Sequence, residues 1–104
     1  MKQPQPIEDL AKTASSQFSL AVNLKHRGKY KKAFEYFKFA ARKYEELANQ
    51  KDLSTEKRIH YIEMQKECLK SMLNDAFNYN LTLWANIMLK LKKIQKEIIG
   101  KYLN

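Results

Sequence analysis

The sequence predicts an all-α protein, an antiparallel bundle of three helices followed by a fourth amphipathic helix at the C-terminal end. Apolar residues recur at spacings of three and four along most of the chain, the period of a helix face. The 104 residues include only two Gly and two Pro, with both prolines in the first six positions, whereas all-β folds need turn residues much more often. Because 44% of the residues are hydrophobic, we expect one packed core rather than disorder.

The first predicted helix starts after Pro6 and ends within residues 25–28, and residues 1–6 are predicted to be a flexible N-terminal segment. Pro suits a first helical turn because its missing N–H would be unpaired there anyway. The apolar face consists of Ile7, Leu10, Ala14, Phe18, Ala21 and Val22. Cations followed by Gly28 are typical of a helix C-terminus, since glycine adopts the left-handed conformation at little cost.

The second predicted helix runs from near Lys29 to about Asn49 and has one broad apolar arc. The arc consists of Tyr30, Ala33, Phe34, Phe37, Ala40, Ala41, Tyr44 and Leu47. Tyr36 extends this arc, and Phe39 lies just beyond it, next to charged positions. The polar residues after Asn49 predict a short loop.

The third predicted helix starts near Ser54, a suitable N-cap, with Glu56 close to its positive end. Two adjoining apolar stripes run along it: Ile59, Ile62, Leu69, Leu73, Ala76 and Phe77 form the first, and Tyr61, Met64, Cys68 and Met72 form the second. A helix that is apolar over so wide an arc packs on two sides. We expect the first stripe to contact the earlier helices and the second to lie under the last helix.

The fourth predicted helix follows a break at residues 78–80 and runs to about Tyr102. Its apolar seam alternates steps of three and four, as in a coiled coil. The seam consists of Trp84, Ile87, Leu91, Ile94 and Ile98. Residues 7–77 are therefore expected to form the three-helix bundle, and residues 78–104 a helix that packs on it or projects from it.

A more specific pattern spans the first two helices, and small residues in it allow close helix approach while aromatic side chains fill the remaining space. The pattern consists of Ala14, Ala21, Gly28, Tyr30, Ala33, Phe37 and Ala40. It resembles the tetratricopeptide helical hairpin and the microtubule-interacting-and-transport (MIT) domain. A repeat array needs further copies, and none is visible. Residues 7–77 therefore resemble an MIT domain, a three-helix bundle.

The resemblance implies a non-enzymatic adaptor without cofactor or metal. MIT domains accept a short helical or extended tail of a partner in a groove between two helices, and the partners commonly belong to ESCRT-type or autophagy machinery. We expect helix-in-groove recognition of an acidic or amphipathic segment. The candidate groove residues are Lys32, Tyr36, Phe39 and Lys43 from the second helix with Tyr61, Met64 and Cys68 from the third. Packing under the fourth helix is the alternative for the last three residues.

Charge leaves other partners open, because 20 Lys and Arg against 11 Asp and Glu give a net charge of +9. Such a field attracts anionic partners, so a basic helical nucleic-acid-binding protein is the alternative function. Binding of the fourth helix to an anionic membrane, and self-association through the Trp84–Ile98 seam, are further alternatives. A single cysteine and the lack of a secretory signal pattern favour the cytoplasm.

Neither histidine has Cys or carboxylate neighbours at the spacing of a triad or a metal site, so we expect no enzyme.

Overall fold

Four helices make up almost all of the described chain. The computed structural model describes residues 6–79 and 81–102, with side-chain surroundings for residues 6–73 and 82–100. The helices are α1 (Ile7–His26), α2 (Tyr30–Ala48), α3 (Thr55–Tyr79) and α4 (Leu81–Tyr102). No strand occurs in the described ranges, so the predicted all-α class is confirmed. Residues 1–5 of the predicted N-terminal segment and Asn80 of the predicted break lie outside the described residues.

The end of α1 is fixed by the glycine that the sequence singled out. Gly28 has a φ of 77°, the left-handed conformation that closes many helices. Its N–H donates to the Lys25 carbonyl at 3.0 Å, and the Lys29 N–H donates to the Leu24 carbonyl at 2.9 Å. These two bonds form a Schellman motif, which turns the chain into α2 within three residues.

Helices α1 and α2 pack closely because small side chains separate them. Ala14, Ala21, Ala33 and Ala40 are each 0% exposed, and methyl groups allow two helix backbones to approach. Beside them the Phe18 ring meets the Phe37 ring edge-on, with centroids 5.8 Å apart. The alanine–glycine–aromatic pattern therefore has the packing role predicted for it.

The connection from α2 to α3 is held by side chains at both helix ends. The Lys57 N–H donates to Ser54 Oγ at 3.2 Å, which confirms Ser54 as the N-cap of α3. Arg58 donates to the carbonyl oxygens of Ala48, the last residue of α2, and of Gln50 in the loop that follows, where carbonyl groups have no partner within the helix. These bonds fix the start of α3 against the end of α2.

Helix α3 lies between α2 and α4, and the second of its two apolar stripes does not meet the neighbour predicted for it. Tyr61, from the second stripe, stacks on Tyr44 of α2 with centroids 6.3 Å apart. Ile62, from the first stripe, lines a hollow together with Ile94 of α4. The second stripe thus packs against α2 rather than under α4. Ile62 of the first stripe borders α2 as well as α4, because Glu45 and Ala48 line the same hollow.

Helix α4 packs on the bundle through its predicted seam. Ile87, Ile94 and Ile98 are 5%, 6% and 6% exposed, and α4 packs along α3. In this conformation the seam is covered by the chain itself, so a second copy could use it only after α4 had moved. Extensive packing joins α1 to α2, α2 to α3 and α3 to α4.

Within the described residues, no helix combines the length and the apolar character needed to cross a membrane.

Candidate functional site

The candidate groove residues lie in two separate places. The helix-2 group consists of Lys32, Tyr36, Phe39 and Lys43, and the helix-3 group of Tyr61, Met64 and Cys68. Among the described residues, no ring contact, hydrogen bond or ion pair joins the two groups. None of these contacts therefore supports the single groove predicted between the second and third helices.

The geometry of α2 explains the separation. Tyr44 is the residue that meets α3, by stacking on Tyr61. Phe39 is five positions earlier, which puts it about 140° away around the helix axis. Phe39 therefore lies on a different flank of α2 from the side chain that stacks on Tyr61.

The helix-2 group borders a crevice between α1 and α2. This α1–α2 crevice is an open hollow of about 360 Å³ lined by Gln17, Phe39, Arg42, Lys43 and Glu46. Phe39 is 40% exposed, and the Tyr36 ring supports it edge-on at a centroid distance of 6.0 Å. An exposed aromatic ring therefore lies next to two cationic side chains at the opening of the crevice.

One polar atom in the crevice lacks a partner. The side-chain oxygen Oε1 of Gln17 is buried and, among the described residues, accepts no hydrogen bond. Most buried polar atoms are paired, because an unpaired one loses its hydration without compensation. Gln17, a lining residue of the crevice, therefore carries an unpaired acceptor that the surrounding atoms cover.

The helix-3 group belongs to the core. Cys68 is 0% exposed, and burial raises the pKa of its thiol to about 12. Burial is also the main reason that the pKa of the neighbouring Tyr44 hydroxyl is raised to about 12. Met64 and Tyr61 are partly buried and pack against the same core. In this conformation Cys68 is out of reach of a docked segment.

A second and larger hollow, which sequence reasoning missed, lies between α2, α3 and α4. It has a volume of about 760 Å³. Its lining residues are Glu45, Ala48, Asn49, Arg58, Ile62, Gln65, Leu89, Lys90, Lys93, Ile94 and Glu97. Three helices contribute to it, so no single helical pattern in the sequence could have indicated it.

Glu45 links the helices around this three-helix hollow. Its carboxylate oxygen Oε2 lies 2.8 Å from Lys90 Nζ of α4 and accepts a hydrogen bond from Gln65 Nε2 of α3 at 3.0 Å. The hydrogen bond from Lys90 is the main reason that the pKa of Glu45 is lowered, although burial acts in the opposite direction. Glu45 therefore holds α2, α3 and α4 together, and the hollow is already occupied in part by this internal pair.

In the part of the chain that the structure describes, no three His, Cys, Asp or Glu residues come close enough together to hold a metal ion.

Comparisons with protein families, with curated proteins and with solved structures find no match for this chain.

Proposed function

We propose that this chain is a non-enzymatic protein–protein interaction module that binds a short acidic or amphipathic segment of a partner along α2, at the α1–α2 crevice. The observation that carries this proposal is Phe39, a large apolar side chain that stays 40% exposed beside an open crevice. A single exposed ring is common in proteins. An exposed ring that adjoins a crevice and unpaired cations is the usual composition of a docking position.

Phe39 supplies the apolar anchor. Burying a whole Phe side chain is worth roughly 1.5–3 kcal/mol. Because 40% of Phe39 is exposed, covering the remaining surface would contribute about 1 kcal/mol. Tyr36 supports the ring edge-on, so little side-chain freedom remains to be lost when a partner covers it.

Cations supply the preference for an acidic segment. Arg42 and Lys43 line the crevice with Phe39, and neither forms an ion pair among the described residues. Carboxylates of a partner would therefore not have to displace an internal partner.

The helix-2 group has the spacing that an approaching helix needs. Lys32, Tyr36, Phe39 and Lys43 follow one another at steps of four, three and four, so they form a stripe along one side of α2. Eleven residue steps correspond to a length of about 16 Å, or three turns of a bound helix. In this proposal the helix-3 group supports the core and does not touch the partner.

We also propose that the module is an MIT-like domain of ESCRT-type or autophagy machinery in the cytoplasm. It is supported by the resemblance of the Ala14–Ala40 pattern, whose four alanines are all fully buried between α1 and α2. The partner would then be the acidic or amphipathic tail of a trafficking protein.

A peptide-binding assay tests the proposal. Labelled acidic amphipathic peptides, with sequences taken from ESCRT-type tails, are titrated with the protein and with Phe39→Asp, which places a like charge against the peptide. Leu89→Asp is the matched control, because Leu89 is 65% exposed on α4, away from the crevice. We expect at least a tenfold loss, or about 1.4 kcal/mol, for Phe39→Asp only.

Two results would count against this docking position. One is equal affinity of the Phe39→Asp and Leu89→Asp proteins for every peptide that binds. The other is unchanged binding of peptides whose acidic residues have been replaced by lysine, since that would remove the role given to Arg42 and Lys43.

A further inference from the structure

The turn between α1 and α2 is the most strongly charged surface of the described chain. Within residues 25–32, a segment we call the basic turn, five side chains are cationic: Lys25, Arg27, Lys29, Lys31 and Lys32. Lys25 is half-buried and the other four are exposed. None of the five forms an ion pair with a described residue. Their charges are therefore free to act on a partner.

Helix stability accounts for Lys25, which lies in the last turn of α1, but not for Lys29, Lys31 and Lys32. Cations are unfavourable near the positive end of a helix, yet Lys29, Lys31 and Lys32 surround the start of α2. That helix has no acidic residue in its first turn and no side-chain cap. By contrast, α1 carries Glu8 and Asp9 in its first turn, the arrangement that favours a helix. The three lysines at the start of α2 therefore lower the stability of that helix end.

An aromatic ring lies among the cations. Tyr30 is 48% exposed, and it lines a shallow hollow of about 460 Å³ with Gly28, Lys29, Lys31 and Lys32. Gly28 has open space around it, with nothing within 4 Å of the position of a Cβ atom. A flat ligand can therefore approach both the ring and the backbone of the turn.

We propose that the basic turn binds single-stranded nucleic acid, with a base stacked on Tyr30 and the neighbouring phosphates held by Arg27, Lys29 and Lys31. Proteins that bind single strands combine stacking rings with cations that follow the backbone. A duplex keeps its base faces covered and so could not use Tyr30. An anionic membrane needs more apolar surface than one tyrosine ring supplies.

This site is separate from the peptide crevice, so the two proposals can fail independently. Lys32 alone belongs to both surfaces, and it is therefore left unchanged in the test. Tyr30, Lys29 and Lys31 are exposed, so we expect their replacement to leave the fold intact. Circular dichroism of each variant checks this.

The test measures the binding of a labelled oligothymidine strand by fluorescence anisotropy at several salt concentrations. Tyr30→Ala should weaken binding at least about fivefold, the lower end for losing one stacked base, whereas Tyr30→Phe should keep the affinity. Lys29→Gln with Lys31→Gln should reduce the slope of log affinity against log salt by about 1.4, since each phosphate contact of a single strand contributes about 0.7.

The matched control is Lys92→Gln with Lys96→Gln, which removes the same charge from exposed positions of α4. An equal loss of affinity in this control would overturn the site, because net charge alone would then explain binding. So would an unchanged affinity of Tyr30→Ala, equal or tighter binding of a duplex of the same length, or binding to anionic vesicles without binding to the strand.

Discussion

Replacing Gly28 by Ala should destabilise the protein, because the backbone at this position has a φ of 77°. A Cβ atom would meet nothing within 4 Å, so the cost comes from the backbone alone. The left-handed conformation costs an L-residue roughly 1–2 kcal/mol. Reduced freedom of the unfolded chain returns about 0.4–1 kcal/mol. The expected net loss is about 1 kcal/mol.

Gly100 is the internal control for this reasoning. It lies near the end of α4 with open space around it. Because Ala is a better helix former, Gly100→Ala should raise the free energy of unfolding, by at most about 1 kcal/mol. Gly28→Asn should cost less than Gly28→Ala, since Asn tolerates the left-handed region better than Ala does.

Urea denaturation followed by helical circular dichroism measures these free energies of unfolding by linear extrapolation. A loss of 1 kcal/mol in a domain of this size corresponds to a fall in Tm of about 4–8 °C. The reasoning fails if Gly28→Ala is as stable as the parent, or if both Gly→Ala replacements shift stability in the same direction. Either result would mean that the conformation of Gly28 is not what limits the α1–α2 turn.

Two further predictions concern Glu45 and Cys68. Glu45→Gln should lower stability near neutral pH by less than about 1 kcal/mol, because Glu45 and its partner Lys90 are both substantially exposed. Since Lys90 lowers the pKa of Glu45 below 4.5, this contribution is complete above pH 4.5 and is lost as the pH falls through the lowered value. Urea titrations of parent and variant should therefore converge as the pH falls below the lowered pKa, and a gap that does not narrow with falling pH would contradict the assignment. Cys68, which is 0% exposed and whose pKa is about 12, should not react with a thiol reagent until urea unfolds the chain; rapid reaction of the folded protein would show that it is accessible.

The features that the sequence predicted well depend on nearby residues. Gly28 closes α1 through hydrogen bonds that reach back only a few positions, and Ser54 caps α3 three residues ahead. The alanine pattern also predicted the α1–α2 packing, because small residues on two neighbouring helices allow their backbones to approach closely.

The sequence was a poorer guide to which neighbouring helix each side of α2 and α3 contacts. The second stripe of α3 was assigned to α4, although its Tyr61 stacks on Tyr44 of α2, because periodicity identifies an apolar stripe without indicating which neighbour it meets. The groove prediction has the same weakness, because periodicity does not show which side of α2 faces α3. Phe39 and Tyr61 were assigned to one cleft, although Tyr44, on another side of α2, is the residue that contacts Tyr61.

The three-helix hollow could not be predicted at all. It depends on Glu45 and Lys90, which are far apart in the chain and meet at 2.8 Å only after α4 has packed on α3. Each of the two residues, taken alone, has the pattern of an ordinary charged position on a helix surface.

The order of packing has a consequence for how the molecule opens. Since extensive packing joins only helices that follow one another in the chain, α1 and α4 each rest mainly on a single neighbour. Either terminal helix can separate while the other three helices keep their packing. Hydrogen exchange detects sub-global openings of this kind. Release of α4 would break the Lys90–Glu45 pair and uncover Ile87, Ile94 and Ile98. The apolar seam of α4 would then be exposed surface on which a second chain can pack.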